Sequence, residues 1–309
     1  MERSRRAIPC SSCHARLTVA QIPMVYLLAL GSAALYGGAD FLGGLASRQT
    51  STIAIVVMSQ GVGLALLVLI FPVLPDATLS AGNLIWGGAA GLSGGIGVAL
   101  LYRALAVGRM AVVAPTTAVC AVMIPVVAGL FFGDRLAPLT TLGIALAILA
   151  IMLVSQQDAA TSVAKHARGF PPGVGIALAS GVAIGLFFLA LAETDAAAGM
   201  WPLLAARVVS VVLFGVIAFM SGRPLRMAAP LARIAAAAGA IDICANALYL
   251  LATRYGPLSV VVTLSSLYPA STVVLARLAL GERLNGWQVA GVACALVAVV
   301  LIVGGSRPF

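Results

Sequence analysis

The sequence predicts an all-α integral membrane protein with ten transmembrane helices, arranged as two inverted five-helix repeats. Three observations predict this class: an apolar composition, a series of apolar runs of span length, and a second half that repeats the first. Hydrophobic residues make up 62% of the 309 residues and charged residues only 9%, whereas about 25% of the residues of a soluble domain are charged. A water-soluble globule is therefore excluded, because the chain has too few polar side chains to cover its surface.

Ten apolar runs follow one another, most of them close to the roughly 20 residues that an α-helix needs to cross a bilayer. They cover residues 24–46, 52–74, 83–107, 110–132, 138–155, 172–193, 201–220, 231–253, 257–280 and 286–304. No run alternates apolar and polar residues, so a membrane β-barrel is disfavoured. Gly87, Gly91 and Gly95 recur every four residues in the third run, a spacing that predicts close packing against another helix.

The second half of the chain repeats the first. A shift of 148 residues aligns Gly97–Ser155 with Ala245–Val303, and it also places Ser32 on Ser180. The same shift superposes two polar corners, Asp134 and Arg135 on Glu282 and Arg283, which we interpret as structural contacts at equivalent helix ends.

We therefore divide the chain into a polar tail (1–23), a first repeat (24–155), a linker (156–171) and a second repeat (172–305). Because each repeat holds an odd number of spans, the second enters the membrane from the opposite side. Inverted repeats are a recurring plan of secondary transporters, whose substrate site lies near the midplane where the repeats meet.

Three segments resemble the EamA-type branch of the drug/metabolite transporter superfamily. They are Tyr102-Arg103-Ala104-Leu105-Ala106 through Gly133-Asp134-Arg135-Leu136, its echo from Ala252 through Gly281-Glu282-Arg283-Leu284, and Tyr36-Gly37-Gly38-Ala39-Asp40-Phe41. The resemblance covers about residues 24–305. It implies ten helices, two EamA domains, cytoplasmic termini and movement of small metabolites without ATP hydrolysis, but it identifies no substrate. In agreement, the sequence has no Gly-Lys-Ser/Thr phosphate-binding loop.

Charged residues inside the spans are the candidates for a functional site, because a charge in hydrocarbon is costly and rare. Three lie well inside: Asp40, Arg207 and Asp242. Polar residues at helical spacing extend from the two acids and also mark the ninth run. Together the candidates for a shared transport cavity are Tyr36, Asp40, Arg207, Asp242, Asn246, Tyr249, Ser265, Tyr268 and Thr272. The alternative is that these side chains form interhelical hydrogen bonds that hold the bundle closed.

Arg207 has two interpretations. It forms a permanent ion pair with one of the acids, or it anchors a substrate carboxylate, since a guanidinium binds carboxylates in bidentate fashion. The second interpretation suits a zwitterion such as an amino acid.

Proline marks candidate helix breaks at Pro115 and Pro125 in the fourth run and at Pro269 in the ninth. Proline removes a backbone hydrogen bond and bends a helix, and corresponding interruptions in two repeats point to a transport site. Packing kinks without a functional role are the alternative.

The polar tail contains Cys10-Ser11-Ser12-Cys13-His14, the spacing of a c-type haem attachment site. No apolar signal precedes Cys10, so a haem-carrying redox protein is disfavoured and we expect neither a cofactor nor a metal site. The tail is interpreted as unstructured, or as upstream of a true start at Met24.

The net charge of +9 comes from basic residues scattered singly between apolar runs, so no nucleic-acid partner is expected. Ten spans put both termini on one side of the membrane. The distribution of Lys and Arg over alternate loops favours the outside, whereas the resemblance implies the cytoplasm, which we adopt.

No nucleophile–base–acid set is visible, so the chain is not expected to be an enzyme. We expect a multi-pass plasma-membrane exporter of a small polar metabolite, amino-acid-like or drug-like, that works by alternating access with protons as the coupling ion. The rival hypothesis is a membrane scaffold or sensor that transports nothing. The sequence specifies neither the substrate nor the oligomeric state.

Overall fold

A computed structural model describes residues 21–75, 77–108, 110–131, 137–154, 173–222, 225–280 and 286–305. Within these ranges the regular structure is helical, as predicted. The α-helices are α1 (Gln21–Ser47), α2 (Thr52–Ile70), α3 (Ala81–Val107), α4 (Met110–Phe131), α5 (Pro138–Val154), α6 (Val174–Ala192), α7 (Trp201–Met220), α8 (Ala229–Tyr255), α9 (Leu258–Ser265), α10 (Tyr268–Leu280) and α11 (Gly286–Gly305). Short 3₁₀ helices cover Phe71–Val73 and Ala196–Ala198. The tail with Cys10, Cys13 and His14, and the corners with Asp134, Arg135, Glu282 and Arg283, lie outside the described residues.

Six helices of the described chain are long and apolar enough to cross a membrane by length and composition. They are the first three helices of each half: α1, α2 and α3, then α6, α7 and α8. The other apolar stretches are shorter, including Thr116–Phe131 and Pro138–Leu153. Length and composition thus support six membrane spans in the described chain, and the predicted number of ten spans is not confirmed.

The ninth apolar run is two helices rather than one. A turn at Ser266 and Leu267 separates α9 from α10, and Pro269 lies in the first turn of α10. Proline is tolerated there because its missing N–H has no partner in a first turn. The fourth run differs: α4 continues through Pro115 and Pro125, so neither residue ends a helix. Helices in apolar surroundings carry interior prolines where neighbouring groups satisfy the freed carbonyl.

Glycines bring the helix backbones into direct contact. A Cβ atom on Gly91 would stand 2.2 Å from the backbone oxygen of Ala206, and one on Gly239 would stand 2.1 Å from that of Ser59. The first contact joins α3 to α7 and the second joins α8 to α2. The predicted packing role of the glycines in the third run is confirmed, since Gly87 meets Pro202 in the same way.

The first two helices of each half pack on the third helix of the other half. In the first half α1 and α2 pack on α8, and in the second half the equivalent helices α6 and α7 pack on α3. α4 packs on α6, and the split helix α9 and α10 packs on α1. α5 and α11, the last helices of the halves, pack on each other.

Two pairs of hydrogen bonds are related by the 148-residue shift, one bond of each pair being the equivalent of the other. The Ser32 hydroxyl donates to the Ala245 carbonyl at 2.9 Å, and the Ser180 hydroxyl donates to the Gly97 carbonyl at 2.8 Å. A second pair joins Thr117 to the Ala177 carbonyl at 3.2 Å and Ser265 to the Ala29 carbonyl at 3.4 Å. In each pair, both donor and acceptor are related by the shift, so the two halves use the same contacts to hold each other.

Candidate functional site

A cavity that is open to the outside lies between the two halves, and the atom-free space in it, including the solvent at its opening, is about 610 Å³. Helices α1, α2, α3, α6, α7, α8 and α10 line it. Its polar lining residues are Tyr36, Asp40, Gln60, Arg207, Ser210, Asp242, Asn246 and Tyr268. Its apolar residues include Val98, Leu101, Ile184, Phe187, Phe188 and Leu203.

The cavity lies where equivalent positions of the halves face each other. Four pairs of lining residues are related by the 148-residue shift: Tyr36 and Ile184, Asp40 and Phe188, Gly94 and Asp242, and Val98 and Asn246. In every pair the polar member lies on α1 or α8 and the apolar or glycine member on α3 or α6. The packed pair α1–α8 therefore forms a polar wall, and its counterpart α3–α6 forms an apolar wall.

Close helix packing positions the polar wall. Because Gly239 has no side chain, the backbone of Ser59 lies directly against α8. Gln60, the next residue of α2, then meets Arg207 of α7. Gly63 lies beside the guanidinium, and a Cβ there would be in ordinary van der Waals contact, 3.5 Å from the Arg207 Cζ atom.

A chain of hydrogen bonds runs along the polar wall and extends from it to α7 and α2. Arg207 donates to the Gln60 side-chain oxygen and to the Asp242 carboxylate, with which it forms an ion pair. Asn246 donates to the Asp242 carboxylate at 3.1 Å and to its backbone oxygen at 2.7 Å. The Tyr36 hydroxyl donates to the Asn246 side-chain oxygen at 2.8 Å. Arg207, whose exposed fraction is 5%, is thus a partner of Asp242 in this structure.

Asp40 and Tyr268 also line the cavity and stand outside this chain of bonds. No hydrogen bond or ion pair joins the Asp40 carboxylate to another residue of the described chain. The Tyr268 hydroxyl is buried and has no hydrogen-bond partner within the described ranges. Gly37 brings their helices together, because a Cβ on Gly37 would stand 2.6 Å from the Tyr268 carbonyl oxygen. Asp40 lies three residues further along α1, on the same face as Gly37.

The structure gathers six of the predicted cavity residues into the lining: Tyr36, Asp40, Arg207, Asp242, Asn246 and Tyr268. The other three lie outside the lining, in contacts between or within helices. The Tyr249 hydroxyl donates to the Phe188 carbonyl at 2.9 Å, and Thr272 donates to the Gly37 carbonyl at 3.2 Å. Ser265 makes the bond to Ala29 described above. For these three, the interhelical alternative describes the observed contacts.

Sequence reasoning missed Gln60, Ser210 and the aromatic residues Phe187 and Phe188. Gln60 carries a signal that was available, since it is an amide inside an otherwise apolar run. The phenylalanines carry none, because an apolar residue in a span looks the same whether it faces lipid or a cavity.

Polar contacts join the loops at one end of the bundle. Asn83 and Asp195 exchange two hydrogen bonds, of 3.0 and 2.9 Å, between the start of α3 and the loop after α6. Thr78 donates its backbone N–H to the Ala197 carbonyl at 2.8 Å. Arg254 at the end of α8 donates to the backbone oxygen and the hydroxyl of Thr194. The end of α6, the end of α8 and the loop between α2 and α3 therefore lie together.

No group of three or more His, Cys, Asp or Glu residues in the described part of the chain could hold a metal ion. The polar wall offers hydrogen bonds and charge rather than a ligand set.

The sequence model of the EamA-like transporter family matches this chain twice, at residues 23–156 and 171–304. The chain belongs to the EamA-like transporter family. The family resemblance seen in the sequence is confirmed, and with it a multi-pass membrane protein of the drug/metabolite transporter type. Both EamA matches contribute helices to the cavity.

A solved crystal structure, described only as that of a protein, superposes on this EamA chain with a TM-score of 0.66 and 17% sequence identity. The match covers 88% of this chain and 98% of that one. At this identity the likeness concerns the fold alone. Among curated proteins, none matches the chain.

Proposed function

We propose that this EamA-family protein is a secondary active transporter that exports a small polar metabolite across the plasma membrane by alternating access, coupled to protons. The cavity between the two halves carries the proposal. It combines an apolar wall with a carboxylate, that of Asp40, which has no hydrogen-bond or ion-pair partner among the described residues. It also lies among the helices through which the halves contact each other.

The proposal includes ten spans in two repeats of five, inverted with respect to each other. The end contacts support the inversion. α1 and α2 are consecutive helices joined by a short loop, so the loop after α2 lies at the end opposite to the α1 C-terminus. That loop contacts Ala197, just after the α6 C-terminus. The equivalent helices α1 and α6 therefore point in opposite directions, and we propose a pseudo-two-fold axis in the membrane plane.

Alternating access in this proposal is a rocking motion of the helix pairs around the cavity. The halves hold each other through contacts that occur in duplicate, such as those of Ser32 and Ser180, and this internal symmetry supports an exchange of conformation between the halves. Inverted repeats provide such a pair of states, since each half takes in turn the conformation of the other.

Protons are the proposed coupling ion because Asp40 and Asp242 are the carboxylates of the described lining. A carboxyl group inside a membrane marks a proton or ion pathway in many pumps and transporters.

The test is a metabolite-uptake screen in everted membrane vesicles that contain the protein, with vesicles from cells lacking it as the control. We expect at least one small polar metabolite to accumulate in the protein-containing vesicles, and an uncoupler that dissipates the pH gradient to abolish the accumulation. Vesicle contents identical to those of the control would support the rival hypothesis of a scaffold or sensor.

A further inference from the structure

We propose that the cavity binds a monovalent organic cation, an amine that carries an apolar group, with Asp40 as the anchor of the ammonium and the α3–α6 wall as the surface for the apolar group. The inference deepens the proposed function and rests on it for the direction of transport, but binding itself is independent of transport.

The charges of the cavity favour a cation. The described residues of its lining include two carboxylates, Asp40 and Asp242, and one guanidinium, Arg207. With all three ionised, one negative charge is left over. Arg207 and Asp242 neutralise each other through their ion pair, so the surplus charge resides on Asp40. A cation that binds there restores neutrality inside a region of low dielectric constant, where an unpaired charge is costly.

The same geometry disfavours a zwitterion. A carboxylate group of the substrate requires a free cationic partner, and among the described lining residues Arg207 alone carries a positive charge. Its charge is already compensated by the ion pair with Asp242, and its two terminal nitrogens donate to Gln60 and Asp242. The ammonium of an amino acid therefore meets an uncompensated carboxylate, whereas its carboxylate would have to compete with Asp242 for Arg207.

Tyr268 supplies a second, independent indication of a ligand. Its side chain lines the cavity, and its buried hydroxyl has no hydrogen-bond partner in the part of the chain that the structure describes. A buried hydroxyl without a partner is rare in native proteins. An ammonium has several N–H donors, and it can donate to the Asp40 carboxylate and to the phenolic oxygen of Tyr268. A bound amine satisfies both groups at once.

The apolar wall defines the rest of the molecule. Phe187 and Phe188 line it with their rings 5.5 Å apart, and Ile184 and Val98 lie beside them. Aromatic rings favour edge-to-face contacts with another ring. The site therefore fits an amine with a short aromatic or branched apolar group better than a polyhydroxylated or highly charged molecule.

The experiment compares four probes that share one phenyl-alkyl body and differ in charge: 2-phenylethylamine, phenylalanine, 3-phenylpropionate and 2-phenylethanol. Binding to the purified full-length protein in nanodiscs is measured by calorimetry. We expect the amine to bind most tightly. In Asp40→Asn, which removes the charge at nearly constant shape, amine affinity is expected to fall about 30-fold. Tyr268→Phe is expected to lower it about threefold.

The matched control is Glu193→Gln, which removes an exposed carboxylate outside the cavity and is expected to leave amine binding unchanged. Asp40→Glu retains the charge and should keep most of the affinity, which separates a loss of charge from a loss of folding. If Asp40→Asn does not fold, the assignment of an amine site is still tested by the probe series on the native protein and by Tyr268→Phe.

Any one of three results would overturn the assignment. Phenylalanine binds as tightly as the amine, none of the probes binds, or the amine affinity is unchanged in Asp40→Asn. Failure of the proposed function looks different: the amine then binds, with the same dependence on Asp40, but no flux follows in vesicles. Flux of a zwitterion without amine binding would support the proposed transport function but would contradict the assignment of an amine as the substrate.

Discussion

Asp242→Asn is expected to abolish flux driven by a pH gradient while the protein still reaches the membrane. The substitution removes the carboxylate that neutralises Arg207, so the guanidinium charge then offsets that of Asp40 and the cavity loses its net attraction for cations and protons. The same change removes the carboxylate in direct contact with the buried guanidinium. We expect the folded protein to lose about 3 kcal/mol of stability, read as a lower melting temperature in the same detergent.

The control for this prediction is the pair of substitutions Asp242→Asn with Arg207→Gln, which removes both charges. Stability should recover in the double variant because the buried charge is gone, and amine binding should recover with it because the negative charge of Asp40 is again unbalanced. Flux driven by a pH gradient should stay absent, because the double variant still lacks the Asp242 carboxylate that the proposal assigns to proton coupling. Wild-type flux in Asp242→Asn at every pH would contradict a transport role. The chain from Gln60 to Tyr36 would then serve only to hold four helices together.

Gly239→Ala is expected to destabilise the protein by about 1–3 kcal/mol, although alanine is the better helix former. The added Cβ would stand 2.1 Å from the Ser59 carbonyl oxygen, so α2 has to move away from α8. That movement also separates Gln60 from Arg207 and should weaken probe binding. Gly91→Ala, at the equivalent position of the first half, is expected to behave alike because its Cβ meets the Ala206 backbone at 2.2 Å.

Gly61→Ala is the matched control for the glycine prediction. Gly61 lies in α2, and a Cβ there meets no atom within 4 Å, so the substitution should leave the melting temperature unchanged or raise it. Measured melting temperatures that fall equally in Gly61→Ala and Gly239→Ala would show that the close contact between α2 and α8 is not what makes glycine necessary.

The helices were predictable because a bilayer imposes one simple requirement, a run of apolar residues long enough to span it. The break in the ninth run was harder to see. Leu258–Ser265 and Tyr268–Leu280 form one uninterrupted apolar run in the sequence, and the turn at Ser266 and Leu267 carries no glycine. Pro269 marks the place approximately, whereas Pro115 and Pro125 carry the same signal inside a continuous helix.

The charged members of the site were predictable for a related reason, since Asp40, Arg207 and Asp242 are costly in hydrocarbon and need an explanation. Which of them pair was not predictable. The ion pair depends on the register of α7 against α8, and a sequence alone does not fix that register. Tyr249 shares the polar face of α8 with Asp242 and Asn246, yet its hydroxyl reaches the α6 backbone, because it lies beyond the part of α8 that faces the cavity.

The most direct measurement of alternating access is the accessibility of the cavity from each side of the membrane. In a cysteine-free background, Val98→Cys places a thiol on the cavity wall, and a membrane-impermeant methanethiosulfonate is applied to sealed right-side-out and inside-out vesicles. Ala118→Cys, fully buried in α4 and outside the cavity lining, is the unreactive control. If the cavity opens alternately to the two sides, Val98→Cys is labelled from both, and 2-phenylethylamine slows both reactions. Labelling from one side alone under every condition would rule out alternating access and favour a static membrane protein.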